Sequence, residues 1–327
     1  MVFCENSGFR ILKRFLNTGL LILIVVGLSG WVAAEEKKGV GETFDSPQKA
    51  IENLSNAVKK GDAQTLISIF GPDAEDLVLS GDDVADRSDR ARFLVLFKER
   101  HGLEKKSPGK VVLVLGNEEW PFPIPLVKQG NQWYFDVSAG KQEILDRRIG
   151  QNELNVINVV TTYVDAQDEY AVKDLDGDGI RAFAAGLKSD PGEKNGLYWP
   201  VKEGETMSPM GPLVAEAVQK GYTSKDGKKW PYHGYYYKIL LGQGGHAHGG
   251  AYDYQTHGKM IFGHALLAYP AKYGVSGIMT FMVNQQGVLY EKDLGQDTAS
   301  LAAEITKFDP DKSWNETDIG VLSEPKN

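Results

Sequence analysis

The chain has 327 residues and carries 44 acidic side chains against 36 Lys and Arg, a formal net charge of −8 at pH 7. This balance argues against nucleic-acid binding, which draws much of its affinity from phosphate neutralisation, and we identify no basic stretch after residue 34. The one cysteine, Cys4, lies near the amino terminus. The rest of the chain therefore offers no disulfide, thiolate metal site or cysteine nucleophile.

Residues 1–34 are typical of a secretory signal peptide. A region with three basic residues at positions 10–14 precedes an apolar run at 20–28, and Val32-Ala33-Ala34 suits cleavage after Ala34. The apolar run is short for a membrane span. We therefore expect a periplasmic or secreted protein without a membrane span after cleavage. The alternative is that the segment is kept as an N-terminal anchor.

Helices are predicted first, after a polar linker at residues 35–43. Ser46-Pro47 is a typical helix start, and Gly61 is a typical helix end. Two further helices are predicted over residues 62–70 and about 87–101, from their apolar periodicity.

The apolar pattern then changes from a helical period to a strand period. Residues 110–115 form a continuous run of β-branched residues and Leu, which predicts a strand. Residues 120–127 contain three prolines and predict an edge or irregular strand. Residues 132–137 predict a strand with Trp133 and Phe135 on one face.

Helices followed by strands predict a small, cone-shaped α+β module over residues 44–149. In the spacing of Ala50, Ala57, Gly61 and Asp62 it resembles the nuclear-transport-factor-2-like (NTF2-like) fold found in many exported bacterial modules.

From Ser138 to Asp174 the pattern is helical again, which predicts a long linking helix with a domain boundary near Gly150. A second domain over residues 150–310 has a loop-rich middle and an antiparallel sheet. Its predicted strands are residues 235–241, 260–269, 277–283 and 288–292. A long helix followed by such a sheet is similar in order to the headpiece of pilin-like proteins. Residues 311–327 are predicted to form a flexible tail.

Three segments of this second domain are distinctive: "DLDGDGIRAFA", "GYYYKILL" and "GAYDYQTHGKMIFGHALLAYPAKYGVSGIMTFMVNQQGVLYEKDLG". They resemble an exported bacterial family known as domain of unknown function 2950. The resemblance covers about residues 44–309. It implies a shared fold and an exported location, and it implies no particular reaction.

Asp174, Asp176 and Asp178 alternate and are followed by glycine, as in the first half of a calcium-binding loop, where such carboxylates converge on one cation. The position at which a calcium loop places its last carboxylate holds Ala185. We predict a calcium ion here that stabilises the protein. The alternative is a polar turn that ends the long helix and caps another helix at residues 180–187.

A second candidate metal site is the His246-Ala247-His248 segment, with His257 and His264 further along. On a strand, His246 and His248 would share a face, and His257 could complete a set of zinc ligands. Because the segment is rich in glycine, the alternative is an exposed connection between strands.

Tyrosine and tryptophan residues are concentrated in the same part of the chain. The candidate surface for a partner protein or glycan consists of Trp199, Trp230, Tyr252 and Tyr254. The alternative is core packing, with Tyr235 and Tyr237 on one face of a strand and Tyr236 on the other.

The sequence contains no P-loop, nucleophile elbow or zinc-protease motif. We therefore expect a non-catalytic binding or structural protein of the cell envelope. The alternative is an envelope hydrolase or carbohydrate-acting enzyme with an unrecognised carboxylate or histidine site. A third interpretation, a pilus-like subunit, disagrees with a cleavable leader.

Overall fold

The structure is a computed structural model that describes residues 40–175, 179–222 and 231–317. The predicted leader and the chain after residue 317 lie outside these ranges. So do Asp176, Asp178 and Trp230. The fold is α+β, as predicted, with helices and antiparallel sheets.

The first two helices confirm the predictions from their end signals. Helix α1 (Pro47–Lys60) begins at Ser46, whose side chain accepts a hydrogen bond from a backbone N–H of the first turn. It ends at Gly61, whose φ of 69° is in the left-handed region that glycine tolerates best. Helix α2 (Ala63–Phe70) is capped by Asp62.

Two more helices follow. A 3₁₀ turn leads into the short helix α3 (Glu75–Val78). Helix α4 (Asp83–Glu99) begins four residues earlier than predicted, because Asp82 caps it by accepting hydrogen bonds from the backbone N–H groups of Val84 and Ala85. It also ends before His101, which belongs to a strand.

The strands of the first half form one antiparallel sheet in the order β1-β2-β4-β5, with β3 paired to β2. They are β1 (His101–Ser107), β2 (Lys110–Leu115), β3 (Trp120–Pro121), β4 (Leu126–Gln129) and β5 (Gln132–Phe135). Strand β1 was not predicted, because it is a largely exposed edge strand without apolar alternation. The helices and this sheet share an apolar core in which the rings of Phe70 and Phe135 meet edge to face at 5.1 Å.

Helix α5 (Lys141–Ala171) confirms the predicted long helix. The segment after it contains a parallel strand pair, β6 (Gly186–Lys188) and β7 (Gly196–Tyr198), and helix α6 (Gly211–Gln219). Residues 180–187 therefore do not form the helix considered as an alternative. All described residues belong to one compact unit, 38–327, and a domain boundary near Gly150 stays a prediction.

The rest of the second half is built around a five-stranded antiparallel sheet in the order β16-β15-β14-β13-β8. Its strands are β8 (Tyr235–Leu240), β13 (Ala265–Pro270), β14 (Met279–Asn284), β15 (Leu289–Asp293) and β16 (Asn315–Glu316). Between them lie β9 (Gly242–Gln243), β10 (Tyr252–Asp253), β11 (Gln255–Thr256), β12 (Lys259–Met260) and helix α7 (Thr298–Glu304). The predicted tail thus contains strand β16 in its described part.

This second sheet carries an apolar cluster on each face. One cluster joins it to α5 through Tyr163, Tyr235 and Phe281. The other includes Tyr254 and Phe308. Among the described residues, no helix combines the length and the hydropathy that a membrane crossing requires.

Candidate functional site

The first half contains a partly open cavity of about 180 Å³ between its helices and its sheet. The apolar part of its lining includes Leu54, Leu66, Phe70, Phe93, Phe122 and Ile124. A cavity of about 150 Å³ lined by apolar side chains stays dry and binds benzene. This cavity therefore has room for about one ring or a short alkyl chain.

Aromatic rings from two helices and from the loop after β3 frame the cavity. Phe122 stacks on Phe70 of α2 at 6.3 Å and meets Phe93 of α4 edge to face at 5.9 Å. Ile144 of α5 adds a further apolar wall. Because these side chains come from separate elements, the cavity exists only in the folded chain.

Arg148 supplies a cation to the polar part of the lining. Its guanidinium donates to the backbone carbonyls of Asp76 and Leu77, both at 2.7 Å. A guanidinium has five N–H donors, so these two bonds leave others for a ligand. Burial lowers the pKa of Arg148, against the attraction of nearby carboxylates. Among the described residues, Arg148 forms no ion pair within 4.0 Å.

Two carboxyl groups of α4 accompany this cation in the lining. Asp86 is 5% exposed and accepts a hydrogen bond from the backbone N–H of Ser80 at 3.1 Å. Burial raises the pKa of Asp86, and the hydrogen bonds from Ser80 oppose that shift only in part. Desolvation also raises the pKa of Asp89, against the attraction of Arg148. The polar end thus offers both hydrogen-bond donors and acceptors.

Asp82 connects the start of α4 to the second half of the chain. It is 2% exposed, and while one carboxylate oxygen caps α4, the other accepts from the Tyr222 hydroxyl at 2.8 Å and the Gly234 backbone N–H at 3.0 Å. Because Asp86 lies one helical turn further on, this contact also fixes the position of Asp86.

Asp76 connects the cavity to the second half in a similar way. Its carboxylate accepts from Lys272 at 2.6 Å and Lys141 at 3.3 Å, while its backbone carbonyl holds Arg148. The hydrogen bond from Lys272 is the main reason that the pKa of Asp76 is lowered. The residue that holds Arg148 at the cavity, Asp76, is therefore itself fixed by ion pairs of its carboxylate.

The predicted calcium loop is described only in part. Asp176 and Asp178 lie outside the described residues. Asp174 accepts a hydrogen bond from the Gly179 backbone N–H at 2.8 Å, and Gly179 has a φ of 85°. Within 40–175, 179–222 and 231–317, no group of three His, Asp, Glu or Cys side chains is placed to hold a metal ion. The calcium site stays a prediction.

The candidate zinc ligands His246, His248 and His257 each have a separate polar neighbour. His246 Nδ1 lies 3.1 Å from the Asp309 carboxylate. His248 Nδ1 lies 3.3 Å from the Gln286 side-chain amide, and His257 Nδ1 lies 3.1 Å from the hydroxyl of the preceding Thr256. His264 is fully buried, with the rings of Tyr163 and Phe183 against it.

The candidate aromatic surface is divided by the fold. Trp199 is partly buried against the second sheet, with the Lys194 ammonium 5.6 Å from its ring. Tyr254 is fully buried and donates to Gln243, so it has no surface for a partner. Tyr252 is half-buried beside it. Trp230 lies outside the described residues.

The alternation predicted for the tyrosine strand is present. Tyr235 and Tyr237 contribute to the cluster under α5, whereas the Tyr236 ring contacts Tyr269, a neighbour of the cluster on the other face.

Our sequence reasoning missed the cavity and its polar groups. Asp86 went unnoticed because the predicted third helix began after it. Arg148 went unnoticed because it lies among the apolar positions of α5, four residues after Ile144. A charged residue at a core-facing helix position was the available signal.

The fold and this site define an α+β protein with a small apolar cavity that carries charged groups in its lining. The chain belongs to the family described as Protein of unknown function (DUF2950), which matches residues 41–317. The comparisons found no matching curated protein and no matching solved structure.

Proposed function

We propose that this protein is an exported, non-catalytic binding protein of the cell envelope that takes a small, largely apolar molecule into the cavity of its first half. The observation that carries the proposal is the cavity of about 180 Å³, in which an apolar lining is combined with Asp86, Asp89, Arg90 and Arg148. Ligand sites in proteins are usually concave and apolar, with a few polar groups that orient the ligand.

The charges in the lining restrict the class of ligand. Two acidic and two basic side chains balance, so the lining as a whole favours an uncharged ligand. The unused N–H groups of Arg148 would donate to a carbonyl or hydroxyl oxygen of the ligand, and Asp86 would accept from a hydroxyl or amide N–H. A single ring or short chain with one uncharged polar group fits these requirements.

The finer architecture belongs to the same proposal. We assign residues 44–149 to a cone-shaped NTF2-like module and residues 150–310 to a sheet domain with a pilin-headpiece-like order. Helices that precede a five-stranded antiparallel sheet support the first assignment, and a 31-residue helix that packs on a five-stranded sheet supports the second. The leader pattern in residues 1–34 supports export to the periplasm or the exterior.

A calcium ion in the loop after α5 is a further part of this proposal. Its support is the Asp-x-Asp-x-Asp-Gly spacing from Asp174, with the hydrogen bond from Gly179 to that residue. In the chain from Glu35 onward, calcium added after a chelator should raise the melting temperature, because an ion that binds only the folded state stabilises it.

The control for this experiment is the triple Asp→Ala variant at positions 174, 176 and 178, which should not respond. Identical melting with and without calcium in the unmodified chain would exclude the ion. A response to zinc alone would transfer the metal proposal to His246, His248 and His257.

A second candidate function is acid–base catalysis in the same cavity. The observation that favours it is the pair Asp86 and Asp89, because burial raises the pKa of both carboxyls toward values that suit a general acid. This is the envelope hydrolase or carbohydrate-acting enzyme considered from the sequence. Conversion of a bound compound by the native chain, lost in Asp86→Asn, would support it over binding alone.

An envelope protein or a glycan is the proposed macromolecular partner. The exposed side chains next to the candidate aromatic surface are Leu241 and Phe262, which are 42% and 56% exposed. The backbones of both residues are hydrogen-bonded to Tyr254. We therefore centre the proposed partner surface on Tyr252 and these two neighbours.

The direct test of the cavity is a thermal-shift series with one-ring compounds of equal size and different charge: benzyl alcohol, benzoate and benzylamine. We expect benzyl alcohol to stabilise the protein most. At a concentration 100 times its Kd, the gain in the free energy of unfolding is about 2.7 kcal/mol. No response to any of the three would contradict the proposal.

Two matched substitutions on α5 locate the binding. Ile144 lines the cavity, and Ile144→Phe should fill part of it and weaken the response to the ligand. Leu154 is on the same helix and 50% exposed, so Leu154→Phe should leave the response unchanged. Equal responses in both variants would place the compound elsewhere.

A further inference from the structure

Helix α4 carries four basic and four acidic side chains, and an excess of basic residues runs from its second turn to the start of β2. Between residues 87 and 110 there are eight Lys and Arg side chains and three acidic ones, in a chain whose formal net charge is −8. The basic residues are Arg87, Arg90, Arg92, Lys98, Arg100, Lys105, Lys106 and Lys110. The sequence interpretation that no basic stretch follows the leader is therefore wrong for this segment.

The outward face of α4 combines these charges with apolar side chains. Arg87, Ala91, Val95 and Lys98 recur at helical spacing and are all exposed, with Val95 at 65%. The opposite face carries the buried Asp86 and the Phe93 and Phe97 side chains that pack on the core. We call Arg87, Ala91, Val95 and Lys98 the outward stripe.

The cations of this face are available to an external anion. Arg87, Arg92 and Lys98 form neither a hydrogen bond nor an ion pair within 4.0 Å with any residue in the described part of the chain. By contrast, Arg100 pairs with Glu119 at 2.9 Å and Lys106 with Glu104 at 2.6 Å. Three uncommitted cations are thus carried by α4 itself.

We propose that the outward stripe docks α4 on an anionic lipid surface. A helix that presents apolar side chains flanked by Lys and Arg lies in the interface of a membrane, with its apolar residues at the headgroup boundary. Each Lys or Arg near an anionic leaflet strengthens binding about fivefold. Arg87, Arg92 and Lys98 would contact headgroups, while Ala91 and Val95 would enter the boundary.

Charge complementarity selects this occupant over a second copy of the chain. A two-fold dimer through the stripe would place Arg87 and Lys98 against the same residues of the other copy, and like charges in contact destabilise an interface. Docking of α4 on a membrane does not depend on which ligand the cavity holds. The two proposals share one helix, because α4 also contributes Arg90 and Phe93 to the cavity lining.

The test is co-sedimentation of the chain from Glu35 onward with vesicles. This chain contains the whole compact unit of residues 38–327 and lacks the apolar leader, which would itself bind lipid. We expect binding to phosphatidylcholine vesicles that contain about one third phosphatidylglycerol, weaker binding at high salt, and none to pure phosphatidylcholine. Absence of binding to the anionic vesicles at low salt would overturn the proposal.

Charge reversal locates the surface. Arg87→Glu with Lys98→Glu should weaken binding at least tenfold, and Val95→Ser, at an exposed site, should weaken it roughly fivefold. Lys188→Glu with Lys312→Glu changes the net charge equally at two exposed residues elsewhere and should bind as the unmodified chain does. Equal losses in the two double variants would overturn the assignment to α4.

Two further measurements exclude other occupants. Sedimentation velocity over a hundredfold range of protein concentration should show no association, and a dimer that is lost in Val95→Ser would overturn the lipid assignment. Binding to heparin without binding to anionic vesicles would do the same, because it would show attraction to any polyanion without insertion of the apolar residues.

Discussion

The two halves of the molecule differ in how their interiors are filled. In the first half, α1, α2, α4 and the sheet leave a cavity of about 180 Å³ with Asp86 and Arg148 in its lining. In the second half, apolar clusters cover both faces of the sheet, and a smaller cavity of about 80 Å³ lies between α5 and the turn after β14.

The buried tyrosines of the second half show the same contrast at the level of hydrogen bonds. Tyr163, Tyr235 and Tyr254 are fully buried, and their hydroxyls donate to Ala265, Met279 and Gln243. Arg148 in the first half uses two of its N–H donors. The hydroxyls of these three tyrosines are therefore paired within the protein, whereas Arg148 has N–H donors left for a ligand.

The largest expected effect comes from removing the cation of the cavity. Arg148→Ala leaves the carbonyls of Asp76 and Leu77 unpaired and Asp86 without its neighbouring positive charge. Because two hydrogen bonds from a charged group are lost, we expect a loss of roughly 3 to 5 kcal/mol in the free energy of unfolding, measured by urea denaturation. The control is Arg147→Ala, at an exposed residue that pairs with Glu143, with a loss below about 1 kcal/mol. Equal losses would show that Arg148 is an ordinary surface residue.

The second prediction concerns the dry core of the second half. Neither ring nitrogen of His264 has a hydrogen-bond partner among the described residues, and burial lowers its pKa from 6.5 to about 4. The unfolded chain binds a proton at this residue below about pH 6.5 and the folded chain only near pH 4. Stability should therefore fall by about 3 kcal/mol as the pH decreases between these values.

Comparison of two substitutions isolates this histidine from the acids that titrate in the same range. His264→Phe should flatten the decrease in stability between pH 6.5 and 4 in guanidinium unfolding. His248→Phe, at an exposed residue, should keep it. If both variants follow the unmodified chain, His264 is solvated and the core of the second half is not dry.

A smaller effect is expected where the two halves meet. Asp82→Ala removes the cap of α4 together with the acceptor of Tyr222 and Gly234. The expected loss is about 2 kcal/mol, and helix α4 should lose protection from hydrogen exchange at its first turn. Asp83→Ala, next to it and exposed, should cost less than about 0.5 kcal/mol. Full protection of α4 in the Asp82 variant would contradict this connection.

The smallest effect tests whether a buried charge is needed in the second half. One carboxylate oxygen of Glu153 accepts from the backbone N–H groups of Ile278 and Met279, both at 3.0 Å, and burial raises the pKa of Glu153. Because the charged form is disfavoured by folding, Glu153→Gln should keep these bonds and increase stability at pH 7 by up to about 1 kcal/mol. Glu153→Ala should decrease it. A loss in both variants would show that the charge itself is required.

The elements with strong local signals were predictable from the sequence. Ser46-Pro47 and Gly61 determine the ends of α1 through backbone geometry that these residue types prefer. The 31 residues of α5 carry a long helical period. Strand β1 and helix α6 carry weaker signals, because an exposed edge strand and a short helix within loops need little apolar periodicity.

The cavity could not be predicted in the same way. Leu54, Phe70, Phe122 and Ile144 are ordinary core residues in the sequence, and only their arrangement across four elements leaves space between them. The basic residues of the outward stripe were not recognised from the sequence, because the net charge of the whole chain combines a basic segment with an acidic remainder.

The most direct measurement is a crystal structure of the chain from Glu35 onward with benzyl alcohol bound. We expect density for the ring between Phe70, Phe122 and Ile124, with the hydroxyl within hydrogen-bond distance of Arg148 or Asp86. An empty cavity at a concentration that saturates the thermal shift, or the compound bound outside the first half, would show that this cavity is not a ligand site.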